Sequence, residues 1–289
     1  MHFLLFGKAW IGQMIYKIIE ENGDTVTYAE SRADNEKDVE AELLRVKPDR
    51  VISVIGRTHG TIDGVDYPTI DYLENKGKLV ENVRDNLYGP FVLAMVCKKH
   101  NIHFTFLNTG CIFNGYPEHG YTEEDLPDFT GSSYSIIKGY VDKMMHFFED
   151  SVLTLRLRMP ITSDNSSRNF ITKIMTYKKI CSMQNSMSVL PDLLPCLIDM
   201  SKRKITGIVN FTNPNSISHN EILEMVKEIY DSDFTWENFT LEEQNKILLS
   251  GRSNNLLNTD KLQELCPQVL PIKEAVRKII QQMADNKNK

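Results

Sequence analysis

The chain has 289 residues, with 41% hydrophobic and 25% charged residues, 15 Gly and 11 Pro; these values exclude a disordered, fibrous or coiled-coil protein and fit one large α/β domain with an appended lobe. A formal net charge of -6 argues against a sequence-independent grip on nucleic acid, which needs clustered cations to displace counterions. No run approaches the roughly 20 apolar residues that span a bilayer, and residues 2–6 are too short and wrongly flanked for a signal peptide, so a cytoplasmic protein with no nucleic-acid or membrane partner is expected.

In chain order, the first hundred residues alternate short β-rich runs with helical stretches, the pattern of parallel β-α-β units packed in layers. The spacing predicts a strand over 2–6, a helix over 11–21, a strand over 24–29, a helix over 37–46 ended by Pro48, and a strand over 50–54. A longer helical region is predicted over 72–100, with Gly77 and Pro90 as interruptions, before a strand over 102–107. A polar stretch over 114–131 then breaks the rhythm, and long loops inside compact domains are commonly functional. A helix starts near Ser132 and a strand follows over 152–157. Beyond Thr162, helices over 220–229 and 273–283 mix with a short strand over 208–212, and a polar tail over 285–289 is expected to fray. The predicted fold is α/β: a Rossmann-type doubly wound parallel sheet over 1–161, then a smaller C-terminal substrate lobe over 162–289 with short crossings back to the main sheet.

The first strand runs directly into Gly7-Lys8-Ala9-Trp10-Ile11-Gly12 and a helix, where a Rossmann unit sets pyrophosphate against backbone N–H groups at a helix N-terminus. Gly7 permits the tight turn and Gly12 the close approach of helix to strand. Only two glycines are present, so a plain strand-to-helix turn competes with a cofactor loop built from Gly7, Lys8, Trp10, Ile11 and Gly12. Arg32, after the second strand, suits the 2'-phosphate of NADPH better than the free ribose of NADH; a solvated surface charge is the alternative. Asn86 sits where an amide is a poor helix former, and a kink or core hydrogen bond explains it as well as cofactor contact.

Tyr134 and Lys138 stand at i and i+4 on the helix after the long loop. A nearby ammonium favours phenolate and so lowers a tyrosine from about 10, making the hydroxyl a better proton donor near neutrality. Thr109 lies just beyond the strand over 102–107, at the carboxyl edge where open α/β sheets bind ligands. Five scattered cysteines, Cys97, Cys111, Cys181, Cys196 and Cys266, form no C-x-x-C pair and support neither a disulfide framework nor a metal site.

Thr109, Tyr134 and Lys138 in this order, behind an N-terminal Gly loop, resemble the extended short-chain dehydrogenase/reductase superfamily. Almost the whole chain is similar to the bifunctional UDP-4-keto-6-deoxyglucose 3,5-epimerase/4-reductases, the C-terminal half of plant rhamnose synthase and its stand-alone relatives. Six blocks carry this likeness in order: Thr109-Gly110-Cys111-Ile112-Phe113, Arg158-Met159-Pro160-Ile161, Arg168-Asn169-Phe170-Ile171-Thr172-Lys173-Ile174, Asn210-Phe211-Thr212-Asn213-Pro214, Ser218-His219-Asn220-Glu221-Ile222-Leu223 and Arg252-Ser253-Asn254-Asn255. The Gly loop departs from the family, being shorter and poorer in glycine.

The resemblance implies an NADP-binding first domain and a UDP-sugar lobe. It implies that Cys111 and Lys173 are the epimerase acid and base, that Tyr134 protonates the C4 oxygen during reduction, that Lys138 supports Tyr134 and the nicotinamide ribose, and that Thr109 binds the carbonyl. Asn169 and Asn185 are nucleotide or sugar contacts on the same grounds, and Arg252 is a candidate diphosphate clamp. As isolated residues, Cys111 would be a packing thiol, Lys173 a solvated charge and Arg252 an exposed arginine. His219 is expected to cap or pack. The implied substrate is UDP-4-keto-6-deoxy-D-glucose, supplied by a separate 4,6-dehydratase, and the product UDP-L-rhamnose; a homodimer is one assembly open to it. A single-function dTDP- or UDP-4-keto-sugar reductase and a catalytically silent NAD(P)-binding regulatory subunit are the alternatives.

Overall fold

A computed structural model of the chain describes residues 1–287. Strands β1 (His2–Phe6), β2 (Thr25–Tyr28), β3 (Arg50–Ser53), β4 (His103–Thr109), β5 (Val152–Leu157) and β6 (Gly207–Phe211) form a parallel sheet in the order β6-β5-β4-β3-β1-β2. The strand order reverses between β1 and β3, the crevice where doubly wound sheets take ligands. β1 shows why the sheet is buried on both sides: Phe3 and Leu5 enter one apolar core, Leu4 and Phe6 the other. Helix α1 (Trp10–Glu21) covers the first face through Ile15 and Ile19. α2 (Glu36–Val46) covers the second through Val39 and Leu43.

The predicted helical region over 72–100 is divided at Gly77, whose φ is +84°, but not at Pro90. α3 (Leu79–Val83) passes through a π-helical turn, Arg84–Tyr88, into α4 (Gly89–Lys99). The widened turn accommodates the missing proline N–H that would otherwise break an α-helical ladder. β4 runs two residues past its predicted end because Asn108 and Thr109 pair with Arg156 and Leu157 of β5. Thr109 is therefore the last residue of the strand, not the first beyond it.

α5 (Ser133–Met145) opens at Ser132, whose hydroxyl accepts from the Ser135 N–H at 3.0 Å. The polar stretch before it is pinned at both ends: Gly115 and Tyr121 bridge to Asn255 and Leu257, and Phe113 stacks on Tyr121 with centroids 4.4 Å apart.

After β5 come α6 (Phe170–Met175) and α7 (Leu190–Lys202); α7 returns to pack Leu193, Leu194 and Leu197 into the first core, ahead of β6 at the sheet edge. A third apolar core gathers Ile171 and Ile174 of α6, Ile222 and Val226 of α8 (His219–Ile229), and Val276 and Ile280 of a C-terminal helix, Ile272–Lys287. That helix carries the polar residues 285–287, so this part of the tail is ordered; 288 and 289 lie outside the described residues. Among the described residues no helix is long and apolar enough to cross a membrane.

Candidate active site

The turn after β1 has no room for larger residues. Gly7 has φ +115°, and a Cβ there would meet Val54 Cγ2 at 2.7 Å. A Cβ on Gly12 would lie 1.9 Å from the Gly7 carbonyl oxygen. Among the described residues no side chain caps α1 at Ala9, which leaves first-turn N–H groups available to an anion. This cradle fits a dinucleotide pyrophosphate. Gly12→Ala should destabilise the fold by about 1–3 kcal/mol and weaken NADPH binding, read by urea unfolding and fluorescence titration; an unchanged titration would remove the cradle from the cofactor site.

The other cofactor candidates divide. The Lys8 ammonium sits 6.0 Å from the Tyr28 ring centroid, and Ile11 packs on the core. Trp10 donates its indole N–H to Asp164 Oδ2 at 2.8 Å, tying the turn to the loop before α6. Arg32 is largely exposed at the end of β2, where its Nε donates to Asp34 at 2.9 Å. Asn86 is wholly buried in the π-helical turn. Its Oδ1 accepts from the Arg57 N–H and its Nδ2 donates to the Arg57 carbonyl, both at 2.8 Å, with a further bond to Asn82 at 2.9 Å. The amide holds the loop after β3 in place.

The reactive side chains gather at the carboxyl end of β4. Cys111 donates its backbone N–H to Thr109 Oγ1 at 3.1 Å and is partly exposed. Burial pushes the Tyr134 phenol up, the nearby Cys111 sulfur adds to this, and a hydrogen bond with Thr109 opposes it. The expected lowering of Tyr134 by Lys138 is thus not what this pocket does. Lys138 is itself enclosed, 4.7 Å from the Phe106 ring centroid, and burial lowers it to about 7 against the pull of Asp142. Burial, rather than the charge of Lys138, therefore sets the direction of the Tyr134 shift.

Beneath Gly110 lies Arg158, fully buried. Its guanidinium donates to the Gly110 carbonyl (2.9 Å), the Ser253 hydroxyl (2.9 Å), the Ser186 carbonyl (3.2 Å) and Asn185 Oδ1 (2.5 Å), so neutral oxygens hold it.

Lys173 approaches from α6, donating from Nζ to the Pro68 carbonyl at 3.3 Å. Burial, then repulsion from Arg252 and Arg168, lowers it to about 8, outweighing Asp71. A primary amine in this range can accept a proton near neutrality. Arg252 is paired with Asp71, Nη2 to Oδ2 at 2.7 Å. Burial alone would raise Asp71, but Arg252 and Ser250 prevail and hold it at about 2.

No family model matches the chain. A protein of Acanthamoeba polyphaga mimivirus is 54% identical, covering 98% of this chain and 99% of its own. A crystal structure of a UDP-rhamnose synthase from the same virus superposes with a TM-score of 0.95 at 55% identity, covering 98% of this chain and 99% of that one. The Arabidopsis thaliana bifunctional dTDP-4-dehydrorhamnose 3,5-epimerase/dTDP-4-dehydrorhamnose reductase is 43% identical over 96% of this chain and 92% of its own. The chain belongs to this epimerase/reductase family. A dTDP-4-dehydrorhamnose reductase of Clostridium acetobutylicum, at 18% identity and TM-score 0.80 over the full length of both chains, shares the Rossmann-type fold.

In this epimerase/reductase, Asn169 and Asn185 are buried and occupied by protein. Asn169 caps α6 through the Ile171 N–H at 3.3 Å and donates to the Thr162 and Asp164 carbonyls at 2.9 and 2.8 Å. Asn185 accepts from Arg158 and donates to Asn254 Oδ1 at 2.9 Å. His219 is the first residue of α8, packed edge-on to Phe170 with centroids 5.4 Å apart, and burial lowers it to about 4. Cys97, Cys181, Cys196 and Cys266 are buried. Among the described residues no cluster of three metal-ligating side chains exists. Asp71, His59, Asp142 and Arg158 belong to the site's surroundings without having been singled out for a role. Asp71 and Arg252, like His59 and Arg168, lie more than a hundred positions apart, and a single sequence carries no signal for such pairs.

Proposed function

We propose that the chain epimerises UDP-4-keto-6-deoxy-D-glucose at C3 and C5 and reduces its C4 ketone with NADPH, yielding UDP-L-rhamnose. The observation that carries this is the meeting of a thiol, a phenol and a threonine hydroxyl at the end of β4, with the desolvated amine of Lys173 in the same chain. A 4-keto sugar acidifies the hydrogens on both carbons flanking its carbonyl, so one acid and one base on opposite ring faces can invert both centres through an enolate. Lys173, when neutral, takes the proton; the Cys111 thiol returns one to the other face.

Thr109 and the Tyr134 hydroxyl hold the C4 oxygen, where negative charge grows in both half-reactions. Tyr134 keeps its proton because burial makes phenolate costly, and it gives that proton up only to a developing alkoxide. Lys138 neutralises the phenolate left behind. NADPH supplies the hydride. Gly7, Gly12 and the free N–H groups of α1 would hold its pyrophosphate, with Lys8 beside them and Arg32 placed for the 2'-phosphate. Asn86, Asn169 and Asn185 shape the loops around these groups. Arg252, with Asp71 neutralising part of its charge, borders a cleft of about 350 Å³ lined also by Asn114, Phe129 and Asn254, which suits the nucleotide diphosphate.

A single-function reductase would have no use for a desolvated Lys173 amine, and a silent regulatory subunit none for Thr109, Tyr134 and Lys138 together. The substrate has already lost water across C5 and C6, so a separate 4,6-dehydratase provides it, in the cytoplasm. Incubating the protein with UDP-4-keto-6-deoxyglucose and NADPH should consume the reduced-nicotinamide absorbance and give rhamnose by NMR; a D-configured 6-deoxyhexose product would leave only the reductase.

The assembly belongs to the same proposal. Val80, Tyr140 and Phe147 are exposed on α3, α5 and the turn after α5, which pack as neighbours, and an outward apolar set of this kind favours a homodimer. Phe147→Glu, at a side chain 80% exposed, should convert a dimer to monomer in light scattering without unfolding it. A wild-type protein already monomeric at micromolar concentration ends the dimer proposal.

A further inference from the structure

His59 lies in the loop between β3 and a short hairpin strand, Gly60–Ile62, and is partly buried. Its Nδ1 is 2.5 Å from Arg168 Nη1 and 3.1 Å from Thr58 Oγ1. A guanidinium has only donors, so the nitrogen facing it must carry the lone pair. The proton of a neutral imidazole is then on Nε2. Among the described residues Nε2 has no hydrogen-bond partner and is not sealed inside the protein, so it is open to a ligand. The charged groups around the ring are Arg168, Arg57 and Lys173; burial first, then each of these cations, works against a second ring proton. Arg57 is spent on Glu81 and Asp85, at 3.3 and 3.2 Å, whereas among the described residues Arg168 has no carboxylate partner.

We infer that His59, fixed by Arg168 as the neutral Nε2–H tautomer, donates a hydrogen bond to an oxygen of the keto-hexose beside Lys173 and so helps present the sugar to its base. This rests on the epimerase/reductase reading of the cleft. A histidine held this way keeps one donor and never becomes a competing cation, so it can orient a sugar oxygen without changing charge across the pH range in which Lys173 titrates. The lock has a chemical logic: an unpaired histidine would load protons near 6.5 and repel the ammonium form of its neighbour.

The tautomer is tested first, on the wild-type protein. Long-range ¹H–¹⁵N spectra of the His59 ring should show the Nε2–H form, unchanged from about pH 6 to about 8, and Arg168→Leu should release it to titrate. A ring that already titrates in the wild type, or carries its proton on Nδ1, overturns the inference. The contact is tested by kinetics. His59→Leu should raise KM for UDP-4-keto-6-deoxyglucose by about three- to tenfold, while His59→Gln, which restores an N–H donor, recovers most of the loss. The dissociation constant of NADPH and the inhibition constant of UDP should stay as they are. Equal weakening of UDP or of NADPH would move the donor to the nucleotide or the cofactor and refute the sugar contact. Absence of any turnover by the wild type would sink the enzymatic reading itself, whereas a normal wild type with an unaffected His59→Leu sinks only this inference.

Discussion

Cys111→Ser should stop inversion at C3 and C5 of the keto-sugar, with a loss of about 10²–10⁴ in epimerisation rate, while exchange on the Lys173 face, nicotinamide binding and reduction of a substrate already in the L-configuration survive. Lys173→Met should lose solvent exchange as well as inversion, because it removes the base, while reduction of an L-configured substrate survives. The two differ in pH dependence. The wild-type exchange rate should rise as pH passes through about 8, the value to which burial and its cationic neighbours bring Lys173, because the base acts only after losing its proton. Arg168→Gln removes one of the repelling charges, so this limb should move to higher pH. Undiminished inversion in Cys111→Ser, read by NMR from the configuration of the product, would take the thiol out of the reaction.

The second large effect concerns a buried ion pair joining α5 to β5. Asp142 and Arg156 are both fully buried and meet at 2.7 and 3.1 Å, and Asn108 donates to the same carboxylate at 2.9 Å. Arg156 also donates to the Thr122 carbonyl at 3.0 Å and the Asp125 carbonyl at 3.3 Å, so the pair anchors the long loop before α5. Asp142→Asn leaves a guanidinium desolvated and uncompensated, and urea unfolding should record a loss of about 3–5 kcal/mol. It should also strip Lys138 of the carboxylate that supports its charge, lowering the reductase rate more than the exchange rate. The double substitution Asp142→Leu, Arg156→Met should recover much of the stability, since an apolar pair of similar volume avoids the desolvation of both ions. A loss under 1 kcal/mol in Asp142→Asn would mean that water reaches the pair.

Much of this site was legible in the residue order because its parts are local. The turn Gly7 to Gly12, the i, i+4 pair Tyr134 and Lys138, and the strand end carrying Thr109 with Cys111 just after it each announce themselves within a few residues, and β-rich runs mark β1 and β5 with correct limits. The family likeness supplied the roles proposed for Cys111 and Lys173, which periodicity alone does not give. Other features depend on contacts that no local pattern encodes. The passage of α4 through Pro90 needs the widened turn beside Asn86, and the extension of β4 to Thr109 needs its register with β5. The direction of the Tyr134 shift depends on how much protein surrounds the hydroxyl, and spacing measures only its distance along the helix to an ammonium. Asp71 with Arg252, and His59 with Arg168, join residues more than a hundred positions apart.

The place of β6 limits how this protein can be divided. It is drawn from beyond residue 200, yet its five residues pair with β5 from Gly207↔Leu153 to Phe211↔Leu157, and Arg158 stitches the chain at Gly110, Asn185 and Ser253 into one knot. Severing the gene after codon 161 would leave a first fragment with a naked, sticky strand margin and an orphaned guanidinium, a recipe for inclusion bodies. Swapping C-terminal halves between paralogues to retarget the sugar would fail for the same reason unless the donor brings a compatible sixth strand, so chimeras of this architecture are better built by exchanging individual loops.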